Sequence, residues 1–179
     1  TDGDVIDVHS YGRVDALKRD PNLASNYIHW IAAAQVANKP VSVTEWNVGK
    51  FPTPDRHTSP LYIGAVASHQ GWDALMQFGY TAEPPRKKGR AFNFAMYNDP
   101  SFLGMMPAAA LMYRNGSLKE AMKTYFFAPT KEQLMYGSIS PKTSRAVRTI
   151  PEVGKLVIAM PKIKELPWLK ATQVIGDDI

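Results

Sequence analysis

The chain has 179 residues, of which 45% are hydrophobic, and it contains no cysteine. This length and apolar content are typical of an ordinary globular domain and argue against a disordered chain. Without cysteine there is no disulfide, no thiolate metal site and no cysteine nucleophile. No run approaches about 18 consecutive apolar residues, so we expect no membrane-spanning helix and no membrane partner. The net charge of +5 is too moderate to define a partner class by itself.

The first predicted strand is the short apolar run at residues 5–8, which leads into His9, Ser10 and Tyr11. The residues before it lack the basic start and long apolar centre of a signal peptide, so we expect a chain that begins inside a fold. From residue 23 onwards, apolar side chains recur at helical spacing and predict a helix of about ten to sixteen residues. The dipeptide Lys39-Pro40 ends it, because proline disfavours helix in the residue before it.

A second strand, rich in β-branched residues, is predicted at residues 41–44 and is followed directly by Glu45. After a loop over 48–59, Pro60 suits the first turn of a helix predicted at residues 61–71. A third strand at 73–79 leads into a polar segment at 80–90. The tripeptide Asn-Asp-Pro then begins a helix predicted at 101–114, which an Asn-Gly pair ends.

The segment after residue 116 follows a different pattern. Strands are predicted at 125–128 and 156–160, and short helices at 131–136 and 143–148. We therefore divide the chain into residues 1–116, where strands alternate with helices, and a small accessory α/β segment at 117–179. The alternation in the first part predicts βαβ units, with a parallel sheet and helices outside it.

Unusual side chains follow each of the three strands in the first part of the chain. These are His9 and Tyr11 after the first, Glu45, Trp46 and Asn47 after the second, and Gln77, Phe78 and Tyr80 at the end of the third. Sites in parallel α/β folds form at the carboxyl ends of strands, so we expect these side chains to meet at one edge of the sheet. A carboxylate directly after a buried strand, flanked by aromatic residues, is the sharpest feature.

The three strand ends, His9-Ser10-Tyr11, then Val43-Thr44-Glu45-Trp46-Asn47, then an aromatic-ended strand, resemble the last three βα units of a clan A glycoside hydrolase. The resemblance covers about residues 5–114 and implies an α/β fold that is the C-terminal part of a (β/α)8 TIM barrel. It implies that Glu45 is the nucleophile of a retaining mechanism, that Tyr11 positions Glu45 by a hydrogen bond, and that His9 belongs to the catalytic site as a sugar contact. It also favours a secreted or periplasmic location.

A carbohydrate substrate fits the side chains around Glu45. Trp46, Phe78 and Tyr80 offer apolar faces to the C–H surfaces of a sugar, and Asn47 and Gln77 can bind its hydroxyl groups. The resemblance implies that these five residues shape the sugar subsites, on a poly- or oligosaccharide whose O-glycosidic bond is hydrolysed.

One part of the family pattern is missing from the chain. A retaining glycosidase needs a nucleophile and an acid/base carboxyl group about 5–5.5 Å apart. In the clan the acid/base glutamate follows an Asn at the end of the fourth strand, and no predicted strand here ends in Asn-Glu; Glu83 and Glu120 do not fit. We therefore expect a partial barrel with little activity alone, whose partner is the missing N-terminal half or a second copy.

Other interpretations stay open. Glu45 can cap a turn or pair with an Arg, His9 can be structural, and Trp46 can belong to the core. The chain can be a non-catalytic carbohydrate-binding or scaffolding fragment, or another α/β enzyme with Glu45 as a general base. The basic run at 86–90 suits a solvated loop or an acidic polysaccharide, whereas nucleic acid is not expected because no aromatics are interleaved. His57 and His69 have no partner at metal-ligand spacing, so we expect no metal and no other cofactor.

Overall fold

A computed structural model describes residues 3–49, 51–81, 93–129, 131–136 and 139–159. The elements are, in chain order, β1 (Ile6–Arg13), α1 (Val14–Leu17), α2 (Tyr27–Ala32), β2 (Val41–Gly49), α3 (Thr58–Gln70), β3 (Ala74–Gln77), α4 (Pro100–Arg114), β4 (Thr124–Phe127), α5 (Lys131–Tyr136), α6 (Arg145–Val153) and β5 (Lys155–Ile158). The strands form two short parallel sheets, one in the order β1-β2-β3 and one of β4 and β5. The predicted α/β class and the parallel pairing of the first three strands are confirmed.

The helices cover one face of the first sheet. Apolar side chains of β2 and of helices α2, α3 and α4 form the core there, and they include Val41, Val43, Ile31, Ile63 and Phe102, each 0% exposed. The opposite face is open, because the side chains that β1 directs to it stay about half exposed. A parallel sheet covered on only one face is unusual, since parallel sheets are generally buried on both.

The strand β2 contains one extra residue beside Glu45. Asp7 of β1 pairs with Ser42 of β2, and the next pair in register is His9 with Glu45. Between these two pairs the chain advances by two residues in β1 but by three in β2. The register against β3 shifts over the same residues. Such a β-bulge breaks the alternation of side chains and is common next to active sites. Here it places Thr44 and Glu45 on the open face together, so that both contact His9.

Helix α2 is shorter than the sequence predicts. The Asn26 side chain accepts hydrogen bonds from the backbone N–H groups of Ile28 and His29, and the His29 ring accepts one from Asn26 N–H in return. This reciprocal cap sets the start of the helix at Tyr27. The earlier Asp20 caps only an isolated turn, through the N–H of Asn22. The apolar spacing from residue 23 was therefore misleading, and Leu23 is 82% exposed.

Helices α3 and α4 begin and end close to the predicted residues, whereas the four-residue helix α1 was not predicted. Helix α3 ends at Gly71, whose φ of +64° is the left-handed conformation that favours glycine at a helix end. Helix α4 begins with Pro100 and is capped by the Asp99 side chain, which accepts the N–H of Phe102. No helix in the described part of the chain is long and apolar enough to span a bilayer.

The accessory segment packs against helices α2 and α3. The buried side chain of Gln70, the last residue of α3, donates to the carbonyl groups of Pro151 and Gly154 at 3.0 and 2.7 Å and accepts the N–H of Leu156 at 3.0 Å. The chain after α2 also pairs with β5 through Val36 and Ile158. Residue 160 of the predicted last strand lies outside the described residues. The division at residue 116 stays a prediction.

Candidate functional site

Glu45 lies on the open face of the first sheet with two polar side chains of β1 beside it. The Tyr11 hydroxyl donates a hydrogen bond to Glu45 Oε2. The His9 Nδ1 atom lies 3.4 Å from the same oxygen. Solvent reaches all three side chains, since Glu45 keeps 31% and His9 49% of its side-chain surface exposed and Tyr11 is 42% exposed overall. The predicted grouping of His9, Tyr11 and Glu45 is thus present as a geometry.

The hydrogen bond to Glu45 affects the chemistry of Tyr11. Partial burial, the hydrogen bond to Glu45 and the charge of that carboxylate together raise the pKa of Tyr11 to about 12. Each of these effects favours the neutral phenol over the charged phenolate. Tyr11 therefore keeps its hydroxyl proton, and with it the hydrogen bond to Glu45, until the pH approaches about 12.

A second network lies behind His9. The His9 Nε2 atom lies 3.0 Å from Thr44 Oγ1 and 3.5 Å from Asp7 Oδ2. The Thr44 hydroxyl lies 2.8 Å from both carboxylate oxygens of Asp7 and donates to them. His9 therefore stands between two carboxylates, Asp7 on one side and Glu45 on the other.

Aromatic rings form a wall beside Glu45. The rings of Tyr11, Phe78 and Phe94 meet edge to face, with centroid distances of 5.7, 5.8 and 6.5 Å between the three pairs. Each of the three residues is 41 to 42% exposed. Tyr80 packs on Tyr97 at 6.0 Å and is 57% exposed. Exposed ring faces beside polar groups are the surfaces that carbohydrate-binding proteins and many other binding sites present.

A buried polar network holds this aromatic wall in place. Arg56 Nε donates to Asp99 at 2.6 Å, and both side chains are only 2% exposed. Arg56 also reaches the Asn47 side chain at 3.3 Å and the carbonyl of Asn93 at 3.2 Å. Asn47 in turn donates to the carbonyl groups of Phe78 and Asn93. The chain on either side of the aromatic wall is thereby joined to the end of β2.

Asp99 is kept ionised in this network. Burial raises the pKa of Asp99, but hydrogen bonds from Ser101, Arg56 and the Phe102 N–H outweigh it and hold the pKa below its ordinary value. The Arg56 guanidinium also stacks on the Phe102 ring, with its carbon 4.8 Å from the ring centroid. A buried ion pair with this many hydrogen bonds is costly to break on either side.

Two of the predicted substrate contacts, Trp46 and Gln77, lie on the helix-covered side of the sheet, and a third, Asn47, is buried. Trp46 is 2% exposed and packs on Phe102 in the helix-covered core, because the bulge at Glu45 turns the next residue inward. Gln77 pairs in register with Trp46, and its amide nitrogen is buried without a hydrogen-bond partner. Asn47 is 1% exposed and its amide group is used within the protein. For these three residues, the expectation of a direct sugar contact is corrected.

The structure adds residues that sequence reasoning missed, namely Asp7, Thr44, Arg56, Phe94 and Asp99. Asp7 interrupts an apolar strand, which is itself a signal that its side chain faces a polar surface. The sequence marked Asp99 only as a helix start, which it is. Phe94 could not have been found from the sequence, because its ring contact with Tyr11 joins parts of the chain that are far apart in sequence.

The described residues offer no clear second carboxyl group for the acid/base role. Glu120 pairs with Lys155 in the accessory segment. Asp7 is occupied by the Thr44 hydroxyl, and Glu83 and the basic run at 86–90 lie outside the described residues. No group of three or more His, Asp or Glu side chains in the described part of the chain has a geometry that could hold a metal ion.

Comparisons of the chain with protein-family models, with curated proteins and with solved structures find no match.

Proposed function

We propose that this chain is part of a retaining glycoside hydrolase, with Glu45 as the nucleophile. The observation that carries the proposal is the contact of the Tyr11 hydroxyl with Glu45, on neighbouring parallel strands and beside exposed aromatic rings. In this proposal the three parallel strands and their helices are the last three βα units of a (β/α)8 barrel, and the open face is part of its interior.

The proposed reaction has two steps. Glu45 attacks the anomeric carbon of the sugar, and the electron pair of the broken C–O bond passes to the leaving oxygen, which the acid/base carboxyl group protonates. Water then attacks the same carbon, gives its proton to that carboxyl group and releases Glu45. Tyr11 holds Glu45 in the attacking position, and Phe78, Phe94 and Tyr80 are available to the C–H faces of the sugar.

The acid/base carboxyl group is proposed to come from outside the described residues. Part of the open face then contacts a further barrel segment, and the natural partner is the remaining barrel or a second copy of the chain. The leaving oxygen has to be protonated only in the first step. With a substrate whose leaving group departs without a proton, this step therefore does not need the acid/base carboxyl group.

The test is covalent trapping with 2-deoxy-2-fluoro glycosyl fluorides of several sugar configurations, since fluoride leaves without a proton. Mass spectrometry of the intact chain is expected to show one added fluoroglycosyl group, and peptide mapping is expected to place it on Glu45. Tyr11→Phe removes the contact that holds Glu45 in the attacking position, so labelling is expected to slow by about tenfold to a hundredfold.

Glu45→Gln is expected to abolish labelling, whereas Glu120→Gln is a matched control that leaves it unchanged, because Glu120 pairs with Lys155 in the accessory segment. If the folded chain reacts with none of the reagents, or if the label lies on another residue, Glu45 is not the nucleophile. A chain in which Glu45 is a general base would also remain unlabelled.

The exposed aromatic wall favours a second candidate, a non-catalytic carbohydrate-binding or scaffolding fragment. In that case oligosaccharides are expected to shift the NMR signals of Tyr11, Phe78 and Phe94. The Glu45→Gln variant is expected to bind them as well as the unaltered chain does, and the glycosyl fluorides label neither protein. Phe94→Ala is expected to weaken such binding, since stacking on exposed rings would supply most of it.

A further inference from the structure

Hydrogen-bond directions in the network behind Glu45 follow from the number of protons available. The Thr44 hydroxyl carries a single proton, and it lies 2.8 Å from both oxygens of Asp7, which can only accept. Thr44 therefore donates to Asp7 and must accept from His9, whose Nε2 atom is 3.0 Å away. The second acceptor near Nε2 is Asp7 itself, at 3.5 Å.

The same argument decides which nitrogen of neutral His9 carries the proton. Two acceptors face Nε2, so the proton stays there and Nδ1 is left as a lone pair. That lone pair faces Glu45 Oε2, which already accepts the hydroxyl proton of Tyr11. The separation of 3.4 Å between Nδ1 and Oε2 exceeds the 2.7–3.2 Å of an N–H···O hydrogen bond, as expected for two acceptors in contact.

We propose that Asp7 is a positioning residue for His9. It accepts the hydrogen bond of the Thr44 hydroxyl and thereby holds neutral His9 as its Nε2–H tautomer. In this tautomer His9 has no proton on Nδ1 and donates no hydrogen bond to Glu45. Tyr11 is then the donor that β1 supplies to the Glu45 carboxylate. Without Asp7, the Thr44 hydroxyl is free to donate to Nε2, and His9 can place its proton on Nδ1, towards Glu45.

The consequence for reactivity rests on the proposed function. A hydrogen bond to a carboxylate stabilises its charge and makes it a poorer nucleophile. By excluding a second donor on Oε2, Asp7 keeps Glu45 held by one hydrogen bond and reactive. The groups that face His9 are Asp7 from its own strand and Thr44 and Glu45 from β2.

The tautomer can be measured directly in the full chain with ¹⁵N-labelled histidine. Long-range ¹H–¹⁵N correlations of the imidazole rings are recorded in alkaline buffer, in which histidine rings are neutral. We expect His9 to show more Nε2–H form than the same residue in the urea-unfolded chain. In Asp7→Ala the ratio of Nδ1–H to Nε2–H is expected to rise about two- to fivefold, the range for an exposed charged contact.

His29 is an internal control for folding. Its Nδ1 atom accepts the Asn26 N–H at 3.0 Å and its Nε2 atom faces Glu152 at 3.1 Å, so it keeps the Nε2–H form in every folded variant. Asp15→Asn removes the same charge from an aspartate that contacts Arg13 and Arg19, and it leaves His9 unchanged. If Asp7→Ala disturbs the His29 signals and therefore the fold, the His9 ratio is measured in Asp7→Asn instead, which keeps the shape of the side chain.

Thr44→Val separates the role of Asp7 from that of the hydroxyl. Asp7 still faces Nε2 in this variant, so the Nε2–H form is expected to persist. The proposal is overturned if Asp7→Ala and Asp7→Asn leave the ratio of Nδ1–H to Nε2–H in His9 unchanged while the His29 signals are intact. It is also overturned if this ratio in the folded, unaltered chain equals that in the unfolded chain. These outcomes are independent of labelling at Glu45, so the tautomer result and the glycosidase proposal can fail separately.

Discussion

At the scale of single residues, the contact of Tyr11 with Glu45 couples two titrating groups. The phenol stays protonated because burial disfavours its charged form, and because ionisation would break the hydrogen bond to Glu45 and place a second negative charge beside that carboxylate. Unfolded tyrosine ionises near pH 10. Tyr11 therefore contributes stability that is complete below about pH 10 and is lost as the pH rises towards its folded pKa of about 12.

Glu45→Gln tests this coupling. The substitution removes the carboxylate charge and leaves the partial burial, so the pKa of Tyr11 is expected to fall from about 12 part of the way towards its ordinary value of 10. Tyrosine ¹³Cζ signals recorded over a pH series measure it, and Tyr11→Phe assigns the resonance. A Tyr11 pKa that is the same in the Glu45→Gln variant as in the unaltered chain would mean that the hydrogen bond is absent in solution.

Residue by residue, the sequence grouped the right side chains but ended both strands too early, since β1 and β2 run on to Arg13 and Gly49 and contain the residues that were predicted to follow them. His9, Tyr11 and Glu45 were predicted together because parallel strands end at one edge of a sheet. Strict alternation cannot describe β2, because the bulge adds one residue there. That single residue turns Trp46 into the core, and no pattern of apolar residues announces it.

At the scale of elements, the Arg56–Asp99 pair joins the loop after β2 to the start of helix α4. The carboxylate of Asp99 both pairs with Arg56 and caps α4 through the Phe102 N–H. Arg56 carries the contact on to Asn47 and Asn93, which flank the aromatic wall. A change at Asp99 therefore acts on a helix end and on the candidate site together.

Asp99→Asn is expected to lower the free energy of unfolding by about 3–5 kcal/mol, because it leaves the Arg56 charge buried without its partner. Urea unfolding measures the loss, and Asp15→Asn, at an exposed ion pair, is the matched control with a nearly unchanged midpoint. A loss no larger than that of the control would contradict this role of the pair.

The same pair has a pH dependence with a defined sign. The pKa of Asp99 is held below the value of about 3.9 that it has in an unfolded chain. Its contribution is therefore present above that pH and is lost as the pH falls through the lowered pKa of the folded state. Acid unfolding of the unaltered chain should be steeper in this range than that of Asp99→Asn.

Helix lengths show where local patterns were sufficient. Helix α4 begins after Asp99 as predicted, because the capping residue and the proline act locally. Helix α2 is six residues long, since two capping sequences compete and only the cap at Asn26 is completed by a buried His29. The outcome depends on the burial of His29 against Glu152, a contact 123 residues away in sequence.

At the scale of the whole molecule, the accessory segment is joined to the first part through buried polar contacts. Gln70 supplies three hydrogen bonds to it, and Arg148 donates to the carbonyl groups of Pro21 and Asn22 at 2.7 and 3.0 Å. The sequence predicted strands and helices in this segment but not where they pack. Pairings across such sequence separations depend on the assembled fold, and periodicity does not report them.

The first sheet has an exposed face and two strands, β1 and β3, that pair on only one side within the described part of the chain. Open strand edges and exposed apolar side chains favour pairing with another chain. We expect the isolated chain to self-associate as its concentration rises, because the open face and the free strand edges can then contact a second copy. Sedimentation velocity over a concentration series measures this association.

A charged substitution on the edge strand β3 tests whether this surface, and not another part of the molecule, drives the association. Met76 on β3 is 51% exposed, so Met76→Lys is expected to weaken the association, as lysine does on natural edge strands. Met122, fully exposed in the accessory segment, is the matched control, because Met122→Lys adds the same charge away from the sheet. A chain that stays monomeric up to millimolar concentration would show that the open face is stable without a partner, and equal effects of the two variants would show that this face does not drive the association; either result would remove this support for the proposed barrel.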